Sequence, residues 1–173
     1  VLLNQQPGRA LISLDVSAAF NELEPEAVIQ ANTANTPQLD AWLRPWLATT
    51  PTYKCRLQKG GSLDVHPKTG VPMGCPLAAL SFVYGLHTGL AQTMQTLQRL
   101  DPHARLFAYM DDIYIIIDQA HTGAAVDATK DALARLGLTL NRDKTTVYHE
   151  PSVSLGHTHH QGFQLTASPS VLK

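Results

Sequence analysis

The sequence predicts an α+β fold of the ferredoxin-like, split βαβ kind: an antiparallel sheet backed by helices on one face. Three observations carry that expectation. RALISLDV (9–16) is an apolar, β-branched run near the start of the chain. LFAYMDDIYIIID (106–118) holds two more apolar runs, separated by a pair of aspartates. TGAAVDATKDALARLG (122–137) has helical spacing and leads into LTLN and TTVYH (138–149), which read as strands. The resulting order of strand, helices, strand, strand, helix and strand is βαββαβ, and the sequence contains no internal repeat.

Taken in order, RALISLDV reads as a buried strand ending at Asp15. After Phe20, NELEPEAVIQ suits a helix start, with acidic residues near its N-terminus and Pro25 in the first turn. ANTANTP (31–37) reads as a loop. PQLDAWLRPWLA (37–48) sets Leu39, Trp42, Leu43, Trp46 and Leu47 on one helical stripe, with Pro45 placed to kink it. That stripe favours core packing of both tryptophans over base stacking. YKCRLQ followed by GGS (53–62) reads as a strand and a tight turn. Lys54, Arg56 and Lys59 alternate there; a solvated strand face accounts for them more simply than a phosphate track.

HPKTGVPMG (66–74) is a Gly/Pro-rich loop feeding a long helix from Pro76 to about Gln98. Strands follow at 105–109 and 113–117, on either side of the aspartates. The helix at 122–137 turns Val126, Leu133 and Leu136 inward and stops at Gly137. SLGHTHHQGFQL (154–165) reads as a closing hairpin.

Composition sets outer limits. With 173 residues, 44% of them hydrophobic and 16% charged, the chain fits one domain with a sizeable core. A net charge of −1 lacks the basic footprint of a complete nucleic-acid-binding domain, so basic parts would have to lie elsewhere. Cys55 and Cys75 stand apart with no CxxC spacing, which suits an intracellular, reducing compartment. The apolar segment 76–92 is too short and too interrupted by Ser81, His87 and Thr88 to span a membrane, and no signal peptide is visible. A start at Val1 and an abrupt end at Lys173 suggest a piece of something longer. The HTHH run (157–160) has no second ligand pair nearby and does not read as a zinc site.

Asp111 and Asp112 pose the chemical question, because ionised carboxylates are costly in apolar surroundings without a partner. Side chains alternate along a straight strand, so both could converge only from a hairpin turn at or near 110–112. A solvated turn decorated by aspartates is one reading. The other starts from Asp15, which ends a strand of its own. If that strand lies beside the hairpin, three carboxylates share one edge and repel unless a cation neutralises them. Carboxylate oxygens suit Mg²⁺, and two such ions about 3.5–4 Å apart clamp the oxygens of an in-line phosphoryl displacement.

LDVSAAF (14–20), GVPMGCPLAAL (70–80), AYMDD (108–112), GLTLNRDKT (137–145) and SLG (154–156) resemble, in order, successive motifs of the reverse transcriptase palm. The wording of the second and fourth motifs looks more like non-LTR retrotransposon and group II intron enzymes than retroviral ones, while Tyr-Met-Asp-Asp is more retroviral in flavour, so the subfamily stays open. The resemblance implies a polymerase palm over 1–173, with fingers mostly upstream, a thumb downstream and a primer-grip hairpin at 154–165. Asp15 and Asp111 would hold two Mg²⁺ ions, or Mn²⁺ in their place, with Asp112 assisting and the Val16 carbonyl as a further ligand. Phe20 matches the steric gate that excludes a ribose 2′-OH. Gly74 matches the glycine that admits the incoming nucleotide, and Lys144 the lysine that protonates the leaving pyrophosphate. Leu155 and Gly156 fit the primer grip. Tyr109 would pack under the primer end, and Tyr114 would be core.

The implied partners are an RNA template, a DNA primer and a deoxynucleoside triphosphate, with no membrane. Two departures stand out: Met73 where the family usually has Gln, and Ala78-Ala79 where it usually has Ser-Pro. These favour the alternative of a catalytically inactive scaffold or a degenerate mobile-element relic, which the retained Asp15, Asp111 and Asp112 oppose. Another palm-type nucleotidyl transferase, such as a nucleotide cyclase, is disfavoured by the Tyr-Met-Asp-Asp and primer-grip matches.

Overall fold

Extended backbone suits the β-branched and aliphatic residues of Arg9–Ser17, which form β1 and carry it two residues past Asp15. The structure is a computed structural model describing residues 8–49, 51–71, 75–149 and 164–166. After β1 come a helical turn (Ala19–Glu22), α1 (Pro25–Asn35), α2 (Pro37–Ala48), β2 (Tyr53–Arg56), β3 (Ser62–Val65) and α3 (Pro76–Leu100). Then follow β4 (Arg105–Tyr109), β5 (Asp112–Asp118), a 3-10 turn (Gln119–His121), α4 (Thr122–Ala134), β6 (Thr139–Tyr148) and β7 (Gln164–Thr166). The chain divides into two units, Val1–Ser17 with Leu86–Lys173, and Ala18–Gly85.

The first unit is built on a five-stranded sheet in the order β4-β5-β1-β6-β7. The pairs β4–β5, β5–β1 and β1–β6 are antiparallel, as the split βαβ reading requires, and β7 joins β6 in parallel. One face is dry. Ala10, Ile12, Leu14, Ile113, Ile115 and Ile117 are all at or below 1% exposed and, except at the buried Leu11, alternate with residues more open on the other side. α4 packs against β1, β5 and β6 with Ala125, Val126, Thr129, Ala132 and Leu133 buried. It ends at Ala134 rather than Gly137, and Gly137 takes a left-handed φ of 77° just beyond. Along α3, Leu86, Leu90, Thr93 and Leu97 form the buried stripe. Gly89 sits on that stripe because a Cβ there would lie 2.8 Å from Leu136 Cδ1.

Asp101 closes this unit at the end of α3. Its carboxylate accepts hydrogen bonds from the Arg9 guanidinium, the His103 amide (2.9 Å) and the Asp118 amide (3.1 Å). Arg9 and Asp118 are the first registered pair of the β1–β5 ladder, so one carboxylate grips both strands. Burial pushes the Asp101 carboxyl up, but the two amides and the Arg9 charge outweigh it and hold its pKa below 3.8.

In the second unit, α1 and α2 pack together, and β2 and β3 form a separate two-stranded hairpin. The loop expected at 31–37 is mostly helix, since α1 continues to Asn35. Its polar residues bond back into the helix: Asn32, Thr33 and Asn35 donate to the carbonyls of Val28, Ile29 and Ala31. Of the stripe expected on α2, Leu43 and Leu47 are buried, Trp46 is half-buried, and Trp42 is 79% exposed. Core packing therefore fails for Trp42. Pro45 lies within α2, which runs on to Ala48. No helix among the described residues is long and apolar enough to cross a membrane.

The lowered pKa of Asp101 fixes the sign of one pH effect. Its stabilisation is fully present above the ordinary carboxylate value of 3.8 and is lost as the pH falls through the lower folded value. Asp101→Asn should therefore destabilise the chain at neutral pH and flatten the acid limb, as measured by urea unfolding across a pH series. An acid limb identical to that of the parent chain would remove Asp101 from this role.

Candidate active site

Tyr109 and Asp112 are the last registered pair between β4 and β5, leaving Met110 and Asp111 as a two-residue turn. The hairpin expected at 110–112 is therefore present. Met110 has φ 54°, while Asp111 is not among the positive-φ residues, the sign pattern of a type II′ turn. Glycine is the usual occupant of that first position. A bulky residue there stores on the order of 1–3 kcal/mol of backbone strain. Asp111 is half-buried at the tip and Asp112 is exposed at the start of β5.

Asp15 reaches the same end of the sheet through the β1–β5 register. Leu14 faces Ile113 in the last registered pair, and one residue further along each strand stand Asp15 and Asp112. On its other side Asp15 faces Asn141 of β6, where the ladder is irregular. Ser13 faces Thr146, so β6 takes five steps where β1 takes two, and Arg142–Thr145 bulge out. Asn141 shapes the bulge: its side-chain oxygen accepts from the amides of Asp143 (3.2 Å) and Lys144 (3.3 Å). Thr145 donates to the Asn141 carbonyl at 2.8 Å. The result returns Lys144 towards β1, with Nζ 3.7 Å from Asp15 Oδ2. Lys144 remains 68% exposed, so this contact is a weak tether from which the ammonium can move.

The donor set suits a hard divalent cation in kind, being carboxylate oxygens and, at Val16, a backbone carbonyl. Proximity is less complete. Among the described residues no three His, Cys, Asp or Glu side chains are grouped closely enough to hold a metal ion. The fold thus brings the three aspartates to one sheet end but does not close them into a ligand cluster.

The open face of the same sheet carries Phe107 (51% exposed) and Tyr109 (75% exposed) on β4. Phe107 faces Tyr114 and Tyr109 faces Asp112 across the ladder. Tyr114 is half-buried on this open face, not in the core with Ile113 and Ile115.

Within the second unit, Phe20 is half-buried and stacks on the fully buried Phe82, with centroids 4.2 Å apart and planes 15° from parallel. The segment holding Phe20 is clamped by the loop at 69–71. Val71 N donates to Phe20 O (2.7 Å), Gly70 N to Leu23 O (2.9 Å), and Thr69 Oγ1 to Asn21 O (2.9 Å). Gly70 was invisible as a site residue in the sequence, although its left-handed φ of 85° is the one backbone state where glycine is favoured. A Cβ there would sit 2.5 Å from Phe20 O and 2.6 Å from Asn21 Cα. Met73, Gly74, Leu155 and Gly156 lie outside the described residues, as do the HTHH run and all of the expected hairpin at 154–165 but its last two residues.

Comparison with known proteins bears on the family and the fold. A family model described as "Reverse transcriptase (RNA-dependent DNA polymerase)" matches residues 2–159. A retrotransposable element SLACS 132 kDa protein of Trypanosoma brucei gambiense is 27% identical over 140 residues, covering 80% of this chain. The chain spans 12% of that relative's length. Among solved structures, apo telomerase from Candida tropicalis, truncated from its C-terminal domain, superposes with a TM-score of 0.67 at 16% identity. That match covers 88% of this chain and 33% of the telomerase chain. Telomerase from Candida albicans, solved with a fragment of telomeric RNA, gives a TM-score of 0.65 at 14% identity, covering 89% and 31%. At these identities the two structures speak for the fold alone.

Gly70→Ala should cost more than about 1 kcal/mol in equilibrium unfolding, since the new methyl group meets backbone at a φ that alanine resists. Unchanged stability would mean that the 69–71 clamp is not held as described.

Proposed function

We propose, proceeding from the fact that the chain belongs to the reverse transcriptase family over residues 2–159, that it is the palm of a retroelement's RNA-directed DNA polymerase. Such a palm adds deoxynucleotides to a primer 3′-OH along an RNA template. The observation that carries this reading is the arrival of Asp15, Asp111 and Asp112 at one end of the paired β1 and β5 strands. Fingers upstream, a thumb downstream and a primer grip at 154–165 belong to the same proposal.

Asp15 and Asp111 would hold two divalent cations, Mg²⁺ or Mn²⁺, with Asp112 and the Val16 carbonyl assisting. Ions held by these residues would supply charge neutralisation for an in-line phosphoryl displacement. In that displacement the primer 3′-OH would lose its proton to solvent water and its oxygen would bond to the α-phosphorus as the bond to pyrophosphate breaks. Lys144, tethered loosely to Asp15, is free to swing and give a proton to the departing pyrophosphate. The Phe20 ring, braced on one side by Phe82, would occupy the space of a ribose 2′-OH and select deoxynucleotides. Met73 and Gly74 would face the incoming nucleotide, while Tyr109, Leu155 and Gly156 would position the primer.

A second reading, a non-catalytic scaffold of the same fold, draws on Met73, on Ala78-Ala79 and on the open spacing of the aspartates. Primer extension on an RNA template, by the protein with its flanking segments, separates the two readings. Extension that depends on Mg²⁺ or Mn²⁺ and vanishes in Asp111→Ala is expected. Its absence from the parent protein would sink the polymerase reading. Lys144→Ala should slow extension by about 10²-fold or more, the range of general acid catalysis; an unchanged rate would remove the proton-donor role. Phe20→Val should raise ribonucleotide incorporation at least about tenfold, and unchanged discrimination would refute the gate.

A further inference from the structure

Phe20 is carried by a segment that its own sequence holds poorly. The helical turn Ala19–Glu22 is only four residues long, too short to be stable alone, and no side chain caps its first amides. The chain enters it through Ala18 at φ 44° and ψ 35°, a left-handed state that a residue with a Cβ adopts at a cost. Ala19 and Leu23 are buried and anchor the turn on either side of Phe20. Phe20 itself is half-buried, and its position depends on two further contacts.

The first is the stack on Phe82, which fixes one face of the ring. The second is the 69–71 loop, which holds the backbone that follows the ring. Val71 N donates to Phe20 O at 2.7 Å and Thr69 Oγ1 donates to Asn21 O at 2.9 Å, so two consecutive peptide groups are pinned. Packing adds little beside them. Asn21, Thr69, Gly70 and Val71 line a cavity of about 470 Å³, together with Trp46 and Tyr53. Open space on that side leaves the hydrogen bonds to keep loop and turn together. The Gly70 and Val71 donors are backbone amides, which every residue but proline would keep. The Thr69 hydroxyl is the clamp donor that a side chain supplies, and it reaches a carbonyl 48 residues earlier in the chain.

We infer that Thr69 is a positioning residue for the Phe20 ring. By fixing the Asn21 carbonyl, its hydroxyl holds the ring where it would meet a ribose 2′-OH, and so sets how strictly ribonucleotides are refused. This role rests on the reading of Phe20 as the steric gate. The ring stands several ångströms from its own backbone, so a small rotation of the pinned peptides is magnified at its edge. Without the hydroxyl the ring samples a wider range of positions, some of which admit the extra oxygen.

Single-nucleotide incorporation by the protein used for primer extension tests this, with kcat/KM taken for a deoxynucleotide and for the ribonucleotide of the same base. Their ratio does not depend on how much of the sample is folded, so a loss of stability alone leaves it unmoved. Thr69→Val removes the hydroxyl at nearly constant shape and should lower discrimination about threefold or more, the scale of one hydrogen bond. Thr69→Ser keeps the donor and should stay within about twofold of the parent. Thr69 is exposed, so the fold should tolerate both changes. In a Phe20→Val background, Thr69→Val should lower discrimination no further, because the two residues act as one unit. Parent-like discrimination in Thr69→Val, an equal loss in Thr69→Ser, or a further loss in the Phe20→Val background would each overturn the role of Thr69 alone. Unchanged discrimination in Phe20→Val would overturn the gate and this role with it. No extension by the parent protein would overturn the polymerase reading and both assignments that rest on it.

Discussion

The register of β1 against β5 positions everything at the carboxylate end, and it is tied at the far end by Asp101. One carboxylate takes the Arg9 guanidinium and the Asp118 amide, which belong to the first rung of the ladder. Asp15 and Asp112 come just after its last rung. A slip of one residue would exchange the two faces of β1, turning Ile12 and Leu14 out and Asp15 into the apolar layer. Removing one partner from a largely buried ion pair costs about 3–5 kcal/mol, a large part of the roughly 5–15 kcal/mol margin of a folded domain. The acidic group that never meets substrate thus fixes where the acidic groups that would meet it can stand.

The sheet separates two demands. Its dry face, lined by isoleucines, supplies cohesion; each fully buried aliphatic side chain contributes roughly 1.5–3 kcal/mol. Its open face carries Phe107 and Tyr109 on β4 and Asp112 and Tyr114 on β5, and the last two alternate with the isoleucines of their own strand. Rigidity and chemistry are therefore one residue apart throughout β5. The tight turn at Met110–Asp111 is held at a cost in backbone strain that the ladders on both sides sustain.

Much of this was legible because the signals were local. Alternating apolar runs on both sides of Asp111-Asp112 imply a hairpin, and the βαββαβ order follows from periodicity alone. What failed had physical reasons. ANTAN looked like a loop because Asn and Thr favour turns, yet Asn32, Thr33 and Asn35 satisfy themselves on carbonyls one turn back and the helix continues. Trp42 matched a helical stripe whose buried part is narrower than the pattern, ending at Leu43 and Leu47. Gly70 went unnoticed because its importance lies in a backbone approach to Phe20 and Asn21, some fifty residues earlier in the chain. The carboxylates' common sheet end was readable from strand order; how closely they gather was not, since that depends on side-chain placement.

The Arg142–Thr145 bulge has a consequence for how such a chain can change over time. The rungs on its two sides, Leu11 to Ser13 with Tyr148 to Thr146 and Asp15 to Ser17 with Asn141 to Thr139, are paired independently. Residues gained or lost between them alter neither set of partners. The bulge therefore works as slack in an otherwise taut strand, letting the reach of a lysine drift by insertion or deletion while the sheet beneath keeps its packing.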